Sequence, residues 1–170
     1  MDTHIFLSRK LEKLVANSLS QVTESENDNA LGSWNANIFY VDRKKCWMIT
    51  NSTTFYTLIL EDITNKEVKH LTEIFTHTLL VQLEVDGIKI SLPDLQRVIG
   101  EIKLFPTNND KRTLGVQNSL KVNIADWKYQ YGAFINWPFR DLNHILNKVP
   151  YKQLGWKNPK ETMKEILSEI

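Results

Sequence analysis

The sequence predicts an α+β fold in which a small antiparallel β-meander is packed against a mainly helical C-terminal half. β-prone runs separated by turn-type residues lie before residue 61, and helical periodicity with capping residues dominates after residue 63. The length of 170 residues and the hydrophobic content of 42% fit one domain. We therefore expect residues 1–170 to form a single domain, with 17–30 as a mobile loop because this polar segment has almost nothing to bury.

The first third of the chain carries the strand signals. Residues 4–7 predict a short strand, and Ser8 is placed to cap a helix that follows it. Residues 37–41 and 46–50 are β-prone runs on either side of a polar turn, which is the pattern of a hairpin. Residues 53–60 predict either a third strand, completing a meander, or a short helix.

The rest of the chain predicts helices with identifiable ends. A capping box from Thr64 to Glu67 begins a helix that should run to about residue 85. Ser91 caps the next helix, and Asn158 caps the last one. The remaining expected elements are a strand over 103–105, a helix with residues 120, 124, 127 and 131 on one face, and a helix over 140–146.

The overall charge balance by itself excludes few functional classes. The net charge of +1 is the sum of −3 over residues 1–100 and +4 over residues 101–170. A mildly basic C-terminal part favours an anionic partner, although the sequence pI of about 7.8 is lower than is usual for nucleic-acid-binding domains. The chain has no long apolar run, no signal-peptide pattern and one cysteine, so we expect no membrane association and a cytoplasmic location.

Motifs for catalysis are sparse. No Gly-rich phosphate loop and no nucleophile elbow occurs, and Cys46 lies in a predicted strand with no evident base nearby. His70, Glu73 and His77 share one helix face and offer ligands for a divalent metal, but Lys69, Thr76 and Glu84 lie on the same side, and an ordinary solvated face is the better explanation. We therefore assign no catalytic residue, no metal site and no cofactor from the sequence.

Aromatic residues lie among basic ones in three places. These are Tyr40 and Trp47 around residues 43–45, the run Trp127-Lys128-Tyr129, and Tyr151-Lys152 with Trp156-Lys157. Single-stranded nucleic acid is bound by such combinations of stacking faces and positive charge. The alternative is that these aromatic side chains anchor the core and expose only their polar ends.

Three motifs resemble those of an uncharacterised family of bacterial proteins of about this size, some of whose members look mobile-element-associated. They are LGSWNAN at 31–37, RTLGVQN at 112–118 and LNKVP at 146–150, and they occur in this order along the chain. The resemblance implies that the whole chain is one unit. It carries over no activity, because the family has none assigned.

The motif residues provide five candidate binding positions: Arg112, Asn118, Trp34, Asn37 and Asn147. Arg112 precedes a predicted helix start, where anions are favoured, so Arg112 with Asn118 is a candidate pair for a carboxylate or phosphate. The alternatives are a structural salt bridge for Arg112, a core position for Trp34, and bonds to backbone groups for the asparagines.

These observations favour a non-catalytic binding module for a protein or nucleic-acid partner. A homodimer is a further alternative. The resemblance also suggests a link to mobile elements or defence. The competing hypothesis is a small, toxin-like hydrolase or nuclease. In that case a histidine would supply acid–base chemistry and an arginine would bind the phosphate. The candidates are His4, His70, His77 and His144, with Arg112 or Arg140.

Overall fold

The computed structural model describes residues 2–20 and 29–170. The strands are β1 (Thr3–Leu7), β2 (Trp34–Val41), β3 (Lys44–Asn51), β4 (Thr57–Leu60) and β5 (Ile102–Phe105). The α-helices are α1 (Arg9–Leu14), α2 (Asn65–Val68), α3 (Leu71–Val85), α4 (Leu92–Ile99), α5 (Lys111–Tyr131), α6 (Phe139–Leu146) and α7 (Pro159–Glu169). These elements confirm the predicted α+β fold class.

The strands form one mixed sheet with the order β4-β3-β2-β1-β5. The predicted meander is confirmed, because β2, β3 and β4 are antiparallel neighbours, and residues 57–60 form a strand rather than a helix. Asp42 and Arg43 join β2 to β3 with φ values of 49° and 66°, the left-handed pair that a two-residue type I′ hairpin turn requires. β1 lies parallel to both of its neighbours, β2 and β5, which extends the sheet beyond the predicted meander.

Side chains alternate across the strands, so the sheet buries a core on each face. One core packs residues such as Ile49 and Leu58 against α1, α3 and α4. The other core packs Met48 and Ile59 against α5 and α6. α5 and α6 of the C-terminal half therefore pack on one face of the sheet, while the middle helices cover the opposite face together with Met163 of α7.

The helix predicted from residue 64 to about residue 85 is in fact two helices. The capping box is present, with the Thr64 backbone N–H donating to Glu67 Oε2 at 3.1 Å. α2 nevertheless ends at Val68, because the backbone N–H of His70 bonds to Glu67 O, three residues back, in a tighter 3₁₀-type turn. α3 then begins at Leu71 and ends at the expected position before Gly87, whose φ is 76°.

The predicted mobile loop over 17–30 falls largely on residues 21–28, which lie outside the described residues. At its end, Asn29 is buried, and its Nδ2 donates to the backbone oxygen of Val98 at 2.9 Å. Asn29 Oδ1 accepts the backbone N–H of Leu31 at 2.9 Å. Asn29 therefore ties the entry to β2 to the end of α4.

Candidate functional site

Two of the five candidate residues from the sequence are fully buried. Trp34 packs edge-on against Phe75 of α3, with ring centroids 5.0 Å apart. Asn147 follows α6, and its Oδ1 accepts the backbone N–H of Thr57 at 2.7 Å while its Nδ2 donates to the backbone oxygen of Thr57 at 2.8 Å. Both side chains therefore make their contacts inside the fold rather than with a partner.

Asn147 acts together with Asn143, one helical turn earlier, which the sequence did not single out. Asn143 Oδ1 accepts the backbone N–H of Ile59 at 3.0 Å. Since β4 is the last strand of the sheet, its outer backbone groups have no neighbouring strand to pair with. The two asparagines pair with these groups, and α6 thereby covers the edge of the sheet.

The other three candidates lie nearer the surface. Asn37 is half-buried and its Oδ1 accepts the backbone N–H of Ile38, whereas Asn118 is exposed on α5. Arg112 and Asn118 are six residues apart, so about 120° separates them around the helix axis and they do not converge on one ligand. Arg112 forms no ion pair with any described residue.

Arg112 is instead oriented by an aromatic ring and a carbonyl. Its guanidinium lies 4.3 Å from the centroid of the Phe55 ring, and its Nη1 donates to the backbone oxygen of Ser52 at 2.8 Å. Phe55 in turn packs edge-on against Tyr151, with centroids 5.3 Å apart. Arg112 is thus connected through Phe55 to the segment that follows α6.

The connection from α6 to α7, together with the first two residues of α7 (147–160), forms a loop that closes on itself. The backbone N–H of Lys160 donates to Asn147 O at 3.1 Å, and that of Tyr151 donates to Lys157 O at 3.1 Å. The loop contains four lysines and no aspartate or glutamate. Lys157 pairs with Glu165 of α7, while the other three lysines form no ion pair with a described residue.

Trp156 is the most unusual residue of this loop. Its φ of 65° is in the left-handed region, which is uncommon for a bulky residue, and its backbone N–H is bonded to Tyr151 O at 2.9 Å. The side chain is 68% exposed. A strained backbone conformation of this kind persists only where surrounding contacts impose it. Contacts within the loop therefore fix the backbone that carries this exposed indole ring.

We group Arg112, Tyr151 and Trp156 with the three loop lysines that form no ion pair with a described residue, and call this group the aromatic–basic surface; the lysines are Lys148, Lys152 and Lys160. The other two aromatic–basic runs of the sequence do not form such a surface, because Trp47 and Trp127 are buried in the two cores. Tyr129 alone stands out from them, at 95% exposure near the end of α5.

A second polar arrangement lies between α3 and α6. The Tyr56 hydroxyl donates to Asp86 Oδ2, and His144 Nδ1 shares a hydrogen bond with Asp86 Oδ1. The Asp86 side chain is 0% exposed and that of His144 is 27% exposed. Burial, followed by the Asp86 charge, raises the pKa of Tyr56 well above its usual value, so this hydroxyl remains a donor. When the neutral His144 ring donates its Nδ1–H to Asp86, the other ring nitrogen, Nε2, carries no proton and can accept a hydrogen bond.

The remaining candidates from the sequence are not brought together. Among residues 2–20 and 29–170, no group of three or more His, Cys, Asp or Glu side chains is placed to bind a metal, so His70, Glu73 and His77 do not form such a cluster. Cys46 is buried in β3, and burial raises its thiol pKa to about 11, which suits a structural residue rather than a nucleophile. Of the helices that are described, none is both long and apolar enough to cross a membrane.

Comparison with known proteins extends over nearly the whole chain. No curated protein matches the sequence. A family model does match, over residues 4–162, and its description is "Domain of unknown function (DUF6933)". This match confirms the predicted resemblance to an uncharacterised family. The chain therefore belongs to the family described as Domain of unknown function (DUF6933).

Proposed function

We propose that the protein is a non-catalytic binding module of the cytoplasm, and that its partner is single-stranded nucleic acid bound on the aromatic–basic surface. The observation that carries this proposal is Trp156, an exposed indole in a strained backbone conformation within a loop that has lysines but no acidic residue. A stacking face of this kind is tolerant of base sequence, because every base has a π-face.

The charges of the same surface favour a polyanion over a neutral protein partner. Arg112 is already oriented by Phe55 and Ser52, so little side-chain entropy is lost when its remaining N–H groups bind phosphate. Lys148 and Lys152 are exposed and unpaired among the described residues, so phosphate contacts would not have to displace an existing ion pair. The location in the cytoplasm accords with the single buried free thiol of Cys46.

Replacing Trp156 with alanine is expected to weaken binding of a labelled single-stranded RNA or DNA by about 1–3 kcal/mol, which is the usual contribution of one base stacked on an aromatic ring. Fluorescence anisotropy with an oligonucleotide of about 16 nucleotides measures this directly. Tyr129→Ala is the matched control, because Tyr129 is also exposed and next to a lysine but lies about 25 Å from Arg112 along α5.

The salt dependence of the same titration tests the role of the lysines. Four phosphate contacts on a single strand predict a log–log slope of about −3, and Lys152→Gln should reduce its magnitude by about 0.7. No saturable binding of RNA or DNA at micromolar protein would exclude this function. An equal loss of affinity in Tyr129→Ala and Trp156→Ala would exclude the surface.

The orientation of His144 favours a second candidate function, hydrolysis of a phosphodiester or related ester. Asp86 holds the imidazole by Nδ1 and leaves Nε2 free to accept a proton, as a general base requires. The same helix ends beside Lys148, which offers a cation for a phosphate near His144.

His144→Asn separates a catalytic role from a structural one. The asparagine Nδ2 keeps a donor for Asp86 but has no group that can act as a base at neutral pH. If His144 is the general base, this variant should melt close to the wild-type temperature and lose cleavage of labelled RNA by about 100-fold or more. Wild-type protein without cleavage activity, or a His144→Asn variant with full activity, would rule out hydrolysis through this residue.

A further inference from the structure

A cavity of about 230 Å³ lies between the end of β4, the middle of α3 and the beginning of α6. Its walls are mainly apolar and include Ile59, Val81 and Phe139. Charged and titratable side chains, Glu61 and Arg140 among them, also line it. This volume is smaller than that of most pockets for drug-sized ligands, so the cavity suits a molecule of about a dozen non-hydrogen atoms.

Two buried amide side chains, Gln82 and Asn143, line the cavity, and each has one polar atom that forms no hydrogen bond with a described residue. Gln82 Nε2 donates to the backbone oxygen of Arg140 at 3.3 Å, and Asn143 Oδ1 accepts the backbone N–H of Ile59 at 3.0 Å. These partners fix the orientation of both amides, because a carbonyl needs a donor and an N–H needs an acceptor. Gln82 Oε1 and Asn143 Nδ2 have no partner among the described residues.

Both free atoms are accessible rather than sealed in the core. Gln82 and Asn143 are each 2% exposed as residues. The described side-chain atoms that are buried without a partner are His4 Nδ1, Trp34 Nε1, Asn35 Oδ1 and Gln117 Oε1, and neither Gln82 Oε1 nor Asn143 Nδ2 is among them. A ligand in the cavity would therefore meet one acceptor and one donor on its inner wall.

The rim of the cavity presents two opposite charges that do not pair with each other. Arg140 acts on Glu61 at a distance, lowering the pKa of its carboxyl, while the larger effect of burial raises it. No ion pair between Glu61 and Arg140 is formed. A carboxylate and a guanidinium that both line the cavity, are exposed and do not pair are complementary to the ammonium and carboxylate of a zwitterion.

We propose that this cavity binds a free amino acid with a carboxamide side chain, such as L-glutamine. Arg140 receives its carboxylate and Glu61 its ammonium group. The side-chain amide donates to Gln82 Oε1 and accepts from Asn143 Nδ2, while its methylene groups lie against the apolar walls. This site is separate from the aromatic–basic surface, and it stands whether or not nucleic acid binds there.

Saturation-transfer NMR and calorimetry on the whole protein, with a panel of L-amino acids, test the proposal. L-Glutamine or L-asparagine should bind saturably and more tightly than L-leucine, which cannot bond to either amide. Arg140→Gln and Glu61→Gln should each weaken this binding by about 10-fold or more, because each removes a charge-assisted contact. Arg97→Gln is the matched control, since Arg97 is exposed on α4 away from this cavity and should leave binding unchanged.

Several outcomes would overturn the proposal. The first is no saturable binding of any amino acid at about 10 mM, a concentration high enough to detect weak binding. The others are equal binding of L-glutamine and L-leucine, and unchanged binding in both the Arg140→Gln and Glu61→Gln variants. Adenine and uracil serve as comparison ligands, and binding of these bases without any amino acid would also overturn it. Thermal melting of each variant confirms that loss of binding is not loss of fold.

Discussion

Replacing Trp34 with alanine is expected to lower the free energy of unfolding by about 3–5 kcal/mol, as large truncations in a packed core usually do. Trp34 is fully buried in β2 and contacts Phe75 of α3, so its removal leaves a cavity between the sheet and the helices. Urea denaturation followed by circular dichroism measures the change. The affinity of the folded fraction for oligonucleotide should stay at the wild-type value, because Trp34 is remote from solvent.

Trp34→Phe is the matched control for this prediction. The indole Nε1–H is buried and has no hydrogen-bond partner among residues 2–20 and 29–170, so phenylalanine loses ring volume but also removes a donor without such a partner. We expect its cost to be well below that of alanine, by about 2 kcal/mol or more. If Trp34→Ala were as stable as the wild type but had lost ligand binding, Trp34 would be a binding residue rather than a core anchor.

Asn147→Ala is expected to lower the free energy of unfolding by about 2–4 kcal/mol. The substitution leaves the backbone N–H and C=O of Thr57 without their partners in a buried environment, and each such loss costs about 1–3 kcal/mol. It also removes the bond from Asn147 Nδ2 to Asn143 O at the end of α6. The same denaturation experiment measures the effect.

Asn118→Ala provides the comparison for Asn147→Ala. Both asparagines come from the three motifs singled out in the sequence, but Asn118 is exposed on α5 and has no partner among the described residues. Its replacement should change stability by less than about 0.5 kcal/mol. Equal effects of the two substitutions would mean that the edge of β4 is not stabilised by α6 in the way described.

Helix starts and the hairpin were predictable because their signals are local. The side chains of Ser8, Ser91 and Asn158 each accept a backbone N–H at the beginning of a helix, as the sequence indicated. The hairpin between β2 and β3 needs only a polar turn between two β-prone runs. Each of these features depends on residues within about four positions of one another.

The candidate sites depend on residues far apart in the chain. Tyr56, Asp86 and His144 are separated by 30 and 58 residues, and none of them carries a motif. Asn147 was a candidate from its motif and Asn143 was not, and neither position reveals which strand the two side chains meet. Arg112 was a candidate from its motif, but its contact with Phe55 required the position of the β3–β4 connection.

The sequence by itself determined most helix starts and the hairpin of β2 and β3, because capping, periodicity and turn chemistry act over a few residues. Only the tertiary structure decided that β1 is parallel to β2 and β5 and that helices cover both faces of the sheet. It also decided that a lysine loop exposes Trp156 and that two buried amides face a cavity. These features follow from which surfaces pack together, and packing depends on contacts between distant parts of the chain.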